Sequence, residues 1–183
     1  MWKKVFDLFR AQNLLQEAWD ASHDMLEVDR EMLLEALRVL RESDEAEVNQ
    51  EIRAKDKQVN QYERDVRRMV MTHCTVRGAT ELPSGMVLIS IVMDIERIGD
   101  YTKTIMDLAV AHPRRLMIPE AEDQLQAIES TIKDRFTETI DVLEAHDEER
   151  ARTLLSTYKE EVPRAADSLV NSILAGEISS LSA

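Results

Sequence analysis

The residues of this chain best equipped for chemistry are acids in two short segments. In M-D-I-E-R-I-G-D, Glu96 and Asp100 stand four apart and Asp107 follows seven beyond Asp100. On a helix these three share one row. In K-D-K-Q-V-N-Q-Y-E, Asp56 and Asn60 are four apart and Glu63 lies seven beyond Asp56. Packed as antiparallel neighbours, the two helices bring the rows together across one partly buried space. Carboxylates grouped at low dielectric need compensation, which a protonated member, a paired arginine or an oxygen-ligated metal ion can supply. Arg97 points roughly 100° around the helix from Glu96. That direction suits a pair with Asp94, or contact with an anion, better than neutralising Glu96. Spacing alone leaves an interhelical salt bridge or a solvated face open beside the metal.

Helices must position these rows. Leu15, Ala18, Trp19, Met25, Leu26, Met32, Leu33, Ala36 and Leu40 recur at helical spacing, predicting one long helix from about Leu14 to Arg41. Two positions on its inner stripe, Ser22 and Asp29, are polar, which is odd for a core-facing seam. Ser43 to Glu47 reads as a helix cap with first-turn acids. The second helix carries Val48, Ile52, Val59, Tyr62, Val66, Met69 and Val70 and ends near Cys74. A loop with Gly78, Pro83 and Gly85 follows. M-V-L-I-S-I-V-M could be a buried strand, but Ile91, Ile95, Ile98, Thr102, Ile105 and Ala109 continue the 3.6 period. The segment is therefore a helix from about Pro83 to Ala111, apolar nearly all round in its first half, as befits the central helix of a bundle. A break at Pro113 to Pro119 precedes a fourth helix through Ala121, Leu125, Ile128, Ile132, Phe136, Ile140 and Leu143. After a turn at Ala145 to Glu149, a fifth carries Leu154, Leu155, Tyr158, Val162, Ala165, Leu169 and Ile173. Pro163 should kink it or end its first half.

Composition agrees with an all-α fold. In 183 residues, 44% are hydrophobic, 4% aromatic, and glycine and proline number four each, so a core of aliphatic side chains on long helices is expected. The net charge of −13 opposes nucleic-acid binding and favours cations. Cys74 is the single cysteine, which excludes an internal disulfide and a thiolate-rich metal site within one chain and fits a reducing, cytoplasmic setting. No apolar run reaches the roughly 18 residues of a membrane span. The basic, amphipathic start M-W-K-K-V-F-D-L-F-R places Trp2, Val5, Phe6 and Phe9 for packing on the protein itself or for peripheral membrane contact.

Catalytic signatures are thin. Ser84 lacks a neighbouring histidine, and His23, His73, His112 and His146 form no ligand-spaced pair. Cys74 follows His73 directly, and adjacent residues diverge on a helix, so a structural thiol is expected. A carboxylate-bridged di-metal oxidase draws on E-x-x-H pairs. The chain contains none.

D-I-E-R-I-G-D-Y-T-K-T-I resembles the PhoU signature D-x-E-R-[IA]-[GA]-D-x-x-x-N-I, and D-K-Q-V-N-Q-Y-E-R-D-V resembles the D-x-x-x-N-x-x-E element that precedes it in that family. The resemblance implies an antiparallel three-helix bundle over residues 1–112, followed by two helices of an incomplete second bundle over 113–183. It implies a cytoplasmic, non-catalytic regulator of phosphate uptake, acting on a phosphate transporter subunit or its sensor histidine kinase. It also implies metal held by Asp56, Asn60, Glu63, Glu96 and Asp100, with Asp29, Asp94 and Asp107 as possible further contributors and Arg97 as a structural or anion contact. Divalent or trivalent iron, zinc, nickel, manganese or magnesium are the candidate ions. Three departures stand out: Thr104 replaces the usual Asn, Lys159 and Pro163 replace ligand types in the fifth helix, and no sixth helix with a second E-R-x-x-D turn follows. The chain is then a shortened member or lacks its natural C-terminus. Either way an exposed apolar face on the last two helices is expected, covered by self-association into a dimer. The competing readings are a structural helical homodimer with salt-bridged acidic rows and no metal, and the di-metal oxidase.

Overall fold

The apolar positions of the first three helices fall on heptad spacing, and a computed structural model shows how that spacing is used. The structure describes the backbone of residues 14–46, 50–112, 114–158 and 161–178. Six helices are found there: α1 Leu14–Glu42, α2 Gln50–Arg77, α3 Leu82–Ala111, α4 Glu122–Ala145, α5 Glu148–Tyr158 and α6 Glu161–Leu174. The described residues contain no strand, and the fold is all-α.

They divide into two compact units. The first takes α1 as far as Ala36, α2, and α3 as far as Asp107. In α1 the buried positions Ala18, Ser22, Met25, Asp29, Met32 and Ala36 alternate steps of four and three. In α3, Leu88, Val92, Ile95, Gly99, Thr102, Met106 and Ala109 do the same, while α2 buries Ile52, Val59, Val66 and His73 at sevens. This is knobs-into-holes packing of a helical bundle. All three pairs of helices touch. Lys55 of α2 pairs with Glu31 of α1 at 2.8 Å. Gly99 of α3 abuts both Asp29 of α1 and Val59 of α2, and Gly85 at the start of α3 abuts Val70 and Cys74 of α2.

Two of the buried polar residues explain themselves locally. The Ser22 hydroxyl donates to the Ala18 carbonyl at 2.7 Å, and Thr102 donates to the Ile98 carbonyl at 3.1 Å. Back-bonding to its own helix lets a hydroxyl sit in a seam at little cost. Asp29 has no such route.

The second unit contains the described residues of Leu37–Glu47 and Leu108–Ala183. Here α4, α5 and α6 pack on one another. Ile118, Ala121, Leu169 and Ile178 form its buried cluster, with Leu116, Leu125 and Ile128 against it. Arg41, near the end of α1, ties this unit together. It donates to the Leu116 carbonyl and pairs with Glu122, and its Nε lies 2.8 Å from Glu129 Oε1. The Leu116 amide returns a bond to the Leu40 carbonyl at 2.7 Å.

Two details differ from expectation. α2 runs past Cys74 to Arg77 and stops where Gly78, at φ 88°, donates its N–H to the Cys74 carbonyl; glycine is needed for that left-handed turn. α3 is not buried all round: Met86, Val87, Met93, Tyr101 and Leu108 are exposed, because a helix in a three-membered bundle turns only one stripe inward. The expected fifth helix is described in two stretches, α5 up to Tyr158 and α6 from Glu161 with Pro163 near its start, and residues 159–160 between them lie outside the described residues. The expected exposed apolar face is present as Leu155, Val170, Ile173 and Leu174. The N-terminal amphipathic segment, the end of the Ser43 to Glu47 cap, Val48, Pro113, Lys159 and the last five residues lie outside the described residues.

Candidate functional site

Asp29 sits in the heptad seam of α1, with 0% of its surface exposed and neither carboxylate oxygen hydrogen-bonded among the described residues. α3 makes room for it at Gly99. A β-carbon built there would lie 2.7 Å from Asp29 Oδ1 and 3.2 Å from the Val59 side chain, so the carboxylate lies directly against the α3 backbone. An ionised carboxylate in such a place is costly. Burial, reinforced by the negative charges of Glu96, Asp100 and Asp56, pushes Asp29 up to about 8. At neutral pH it is therefore a neutral acid unless a cation compensates it.

The acids whose charge reaches Asp29 come from two helices, Asp56 from α2 and Glu96 and Asp100 from α3. Lys103, three residues beyond Asp100 on α3, places its Nζ 3.0 Å from Asp100 Oδ1 and 3.2 Å from Asp56 Oδ1 of α2. The ammonium thus joins the two rows. Hydrogen bonds to both carboxylates raise the Lys103 pKa. Glu96, half-buried one turn before Asp100, has its own pKa raised by burial and by the charges of Asp100 and Glu63.

The other expected residues are distributed around this core. Asn60 donates to the Asp56 backbone carbonyl at 2.8 Å, and Glu63 pairs with Arg67 along α2 at 2.8 Å. Arg97 pairs with Asp94 at 3.1 Å on the exposed face, in keeping with its angle around the helix. Asp107 is exposed further along α3. Asp29, Asp56, Glu96 and Asp100 therefore form one electrostatically coupled group, with Glu63 acting on Glu96; Arg97, paired with Asp94, opposes the rise at Glu96 only weakly.

A family comparison bears on the same residues. The model of the PhoU domain matches residues 23–109, from the second turn beyond Ala18 in α1 to near the end of α3. Over residues 23–109 the chain is similar to a PhoU domain. The matched segment contains Asp29, both acidic rows, Gly99 and Lys103. Comparison with curated proteins and with solved structures gives no match.

Metal in the PhoU domain can be weighed against these side chains. Asp29 offers two buried oxygens without partners, and the groups whose charge reaches it are carboxylates, donors of the type that suits hard cations. The donor chemistry fits. In the arrangement described, no three His, Cys, Asp or Glu residues among the described residues converge closely enough to hold an ion, and Lys103 holds Asp56 and Asp100.

Two contributors escaped the sequence reading. Lys103 lies seven residues beyond Glu96, in the same helical row as the acids, so its spacing was a usable signal. Gly99 is a residue without a side chain midway along the buried seam of α3, and Asp29 is the acid at the matching level of α1.

Proposed function

We propose that this PhoU-domain protein is a non-catalytic, cytoplasmic regulator of phosphate uptake that binds metal and acts on a phosphate transporter subunit or its sensor histidine kinase. The buried, unpartnered carboxylate of Asp29 beneath Gly99 of the E-R-I-G-D turn carries the metal half of this reading. A bundle seam accepts a charge only where function or a partner compensates it. Asp29, Asp56, Glu96 and Asp100 would hold the ion, with Asn60 and Glu63 beside them. The bound ion supplies positive charge that links α1, α2 and α3. Asp29 would then give up its proton, and the relative placement of the three helices would set the docking surface.

Among the described residues no helix is long and apolar enough to cross a membrane, so docking on a membrane transporter would be peripheral. The exposed Leu155, Val170 and Leu174 support self-association through the second unit. Elemental analysis of protein purified without chelator, set beside a Glu96→Ala, Asp100→Ala variant, tests the metal half. Metal in the parent and its loss in the variant is the expected result. Co-purification with phosphate-transporter subunits tests the docking half.

A second reading rests on Lys103. Its bridge between Asp56 and Asp100 favours a structural bundle whose acidic rows are salt-bridged without metal. Equal metal content and equal stability in both preparations would select it.

A further inference from the structure

The row of α3 that carries Glu96 and Asp100 is apolar before it is charged. Stepping back from Glu96 by threes and fours, it reads Met93, Ile89, Met86 and Leu82. Met86 is 55% exposed, and Leu82 and Met93 are close to half exposed, although apolar residues at this spacing suit a covered helix face. Met71 of α2, 59% exposed, stands three residues before Cys74, whose sulfur abuts Gly85, and so borders the same row. Methionine, unbranched and polarizable, adapts to whatever packs on it. The place where the chain enters the bundle is equally telling. Asp29, Val59 and Gly99 share one level. Leu14 lies fifteen residues before Asp29, Cys74 fifteen after Val59 and Gly85 fourteen before Gly99, so equal helical rise sets α1's start at the level where Cys74 abuts Gly85. Residues 1–13 therefore join the bundle at the end where the apolar row begins.

We propose that residues 1–13 of this chain dock on the α2–α3 face, with Trp2, Val5, Phe6 and Phe9 seated on the row from Leu82 to Met93 and on Met71. The four anchors stand at i, i+3, i+4 and i+7, the spacing of a helix laid in a groove. Residues 1–9 as a helix span about 14 Å, against about 16 Å from Leu82 to Met93. Residues 10–13 extended reach about 14 Å, enough to cross the end of the bundle from α1. Running from that end toward the middle, the segment brings Lys3 and Lys4 toward Glu96 and Asp100, where the row turns acidic. Charge favours this occupant over a lipid surface. Anionic head groups laid on the row would also meet Asp94, Glu96 and Asp100, in a chain of net charge −13, whereas Lys3, Lys4 and Arg10 against the single acid Asp7 complement them. The inference stands apart from the metal reading.

Trp2 and Trp19 are the two tryptophans of the chain, so Trp19→Phe leaves Trp2 as a single reporter. In the 183-residue chain its emission should lie to the blue of that of a synthetic peptide of residues 1–13, be less quenched by acrylamide, and not change with protein concentration. Adding Met86→Glu and Met93→Glu, both at exposed positions, should return both readings toward the peptide's while circular dichroism stays unchanged. A second measurement keeps Trp19. In a Cys74→Ser background, Phe6→Cys and Met86→Cys should be joined within one chain by a short thiol cross-linker, whereas Phe6→Cys and Arg53→Cys, near the far end of α2, should not. Peptide-like emission, a blue shift that survives the two glutamates, or failure of the first pair to join overturns the proposal. So does a shift that appears only with phosphatidylglycerol vesicles, which assigns the segment to a membrane, or only at high protein concentration, which assigns it to a second copy.

Discussion

Asp29 Oδ1 lies 2.7 Å from the point where a β-carbon on Gly99 would sit. One residue's missing side chain is the other's space, and through it α1 and α3 approach closely at the level of the acidic rows. Replacing Gly99 by alanine should on propensity alone stabilise a helix by about 1 kcal/mol. The contact with Asp29 and Val59 reverses the sign, and Gly99→Ala should cost about 1–3 kcal/mol, the usual scale for overpacking a seam. Urea denaturation checks it. Combining Gly99→Ala with Asp29→Ala should recover part of the loss, since the clashing atom is gone.

Asp29 also makes stability depend on pH. Its pKa is raised from 3.8 to about 8 on folding, so between those values the folded chain holds a proton that the unfolded chain has released. Its contribution is complete below the unfolded value and is lost as pH rises through about 8. Glu96, raised for similar reasons, acts in the same direction. Glu31 and Glu122 are lowered, by the Lys55 hydrogen bond and chiefly by the Gln126 hydrogen bond respectively, so their contributions are lost as pH falls below the ordinary carboxylate range. Metal-free protein should therefore be less stable at about pH 8.5 than at about pH 6, by on the order of a few kcal/mol. In Asp29→Asn most of that difference should vanish.

Arg41 governs the second unit. It is nearly buried and satisfies Glu122, Glu129 and the Leu116 carbonyl together. Truncation leaves two carboxylates and a carbonyl without their shared donor, so Arg41→Ala should destabilise by about 2–3 kcal/mol. Lysine, a point charge without the guanidinium fork, should restore less than half of it. Thermal melts followed by circular dichroism read both.

Much of this architecture is legible in the chain because a heptad is a local signal. Leu88, Val92, Ile95, Thr102, Met106 and Ala109 announce one buried stripe of α3, and Ala18, Met25, Met32 and Ala36 announce that of α1. The same logic marks Asp29 as out of place from its position in the stripe alone. Sequence period does not say how many neighbours a helix has, which is why α3 reads as central and is in fact half-exposed. Nor does it report relations between helices at one level of a bundle. Gly99 opposite Asp29, and Lys103 reaching Asp56, depend on the stagger of separate helices, and Arg41 meets residues 75 to 88 positions away. Arg97 with Asp94, three apart on one helix, is readable because it needs no partner element.

The central claim is that the Asp29 carboxylate, ionised, is compensated by a bound cation. Thermal unfolding at about pH 8 with and without Mn²⁺, for the parent and for Asp29→Asn, tests it most directly. The account predicts that Mn²⁺ raises the parent's melting temperature by several degrees, a ligand-linked gain of about 1–3 kcal/mol, and leaves Asp29→Asn almost unmoved. An equal shift in both proteins, or none in either, would contradict it.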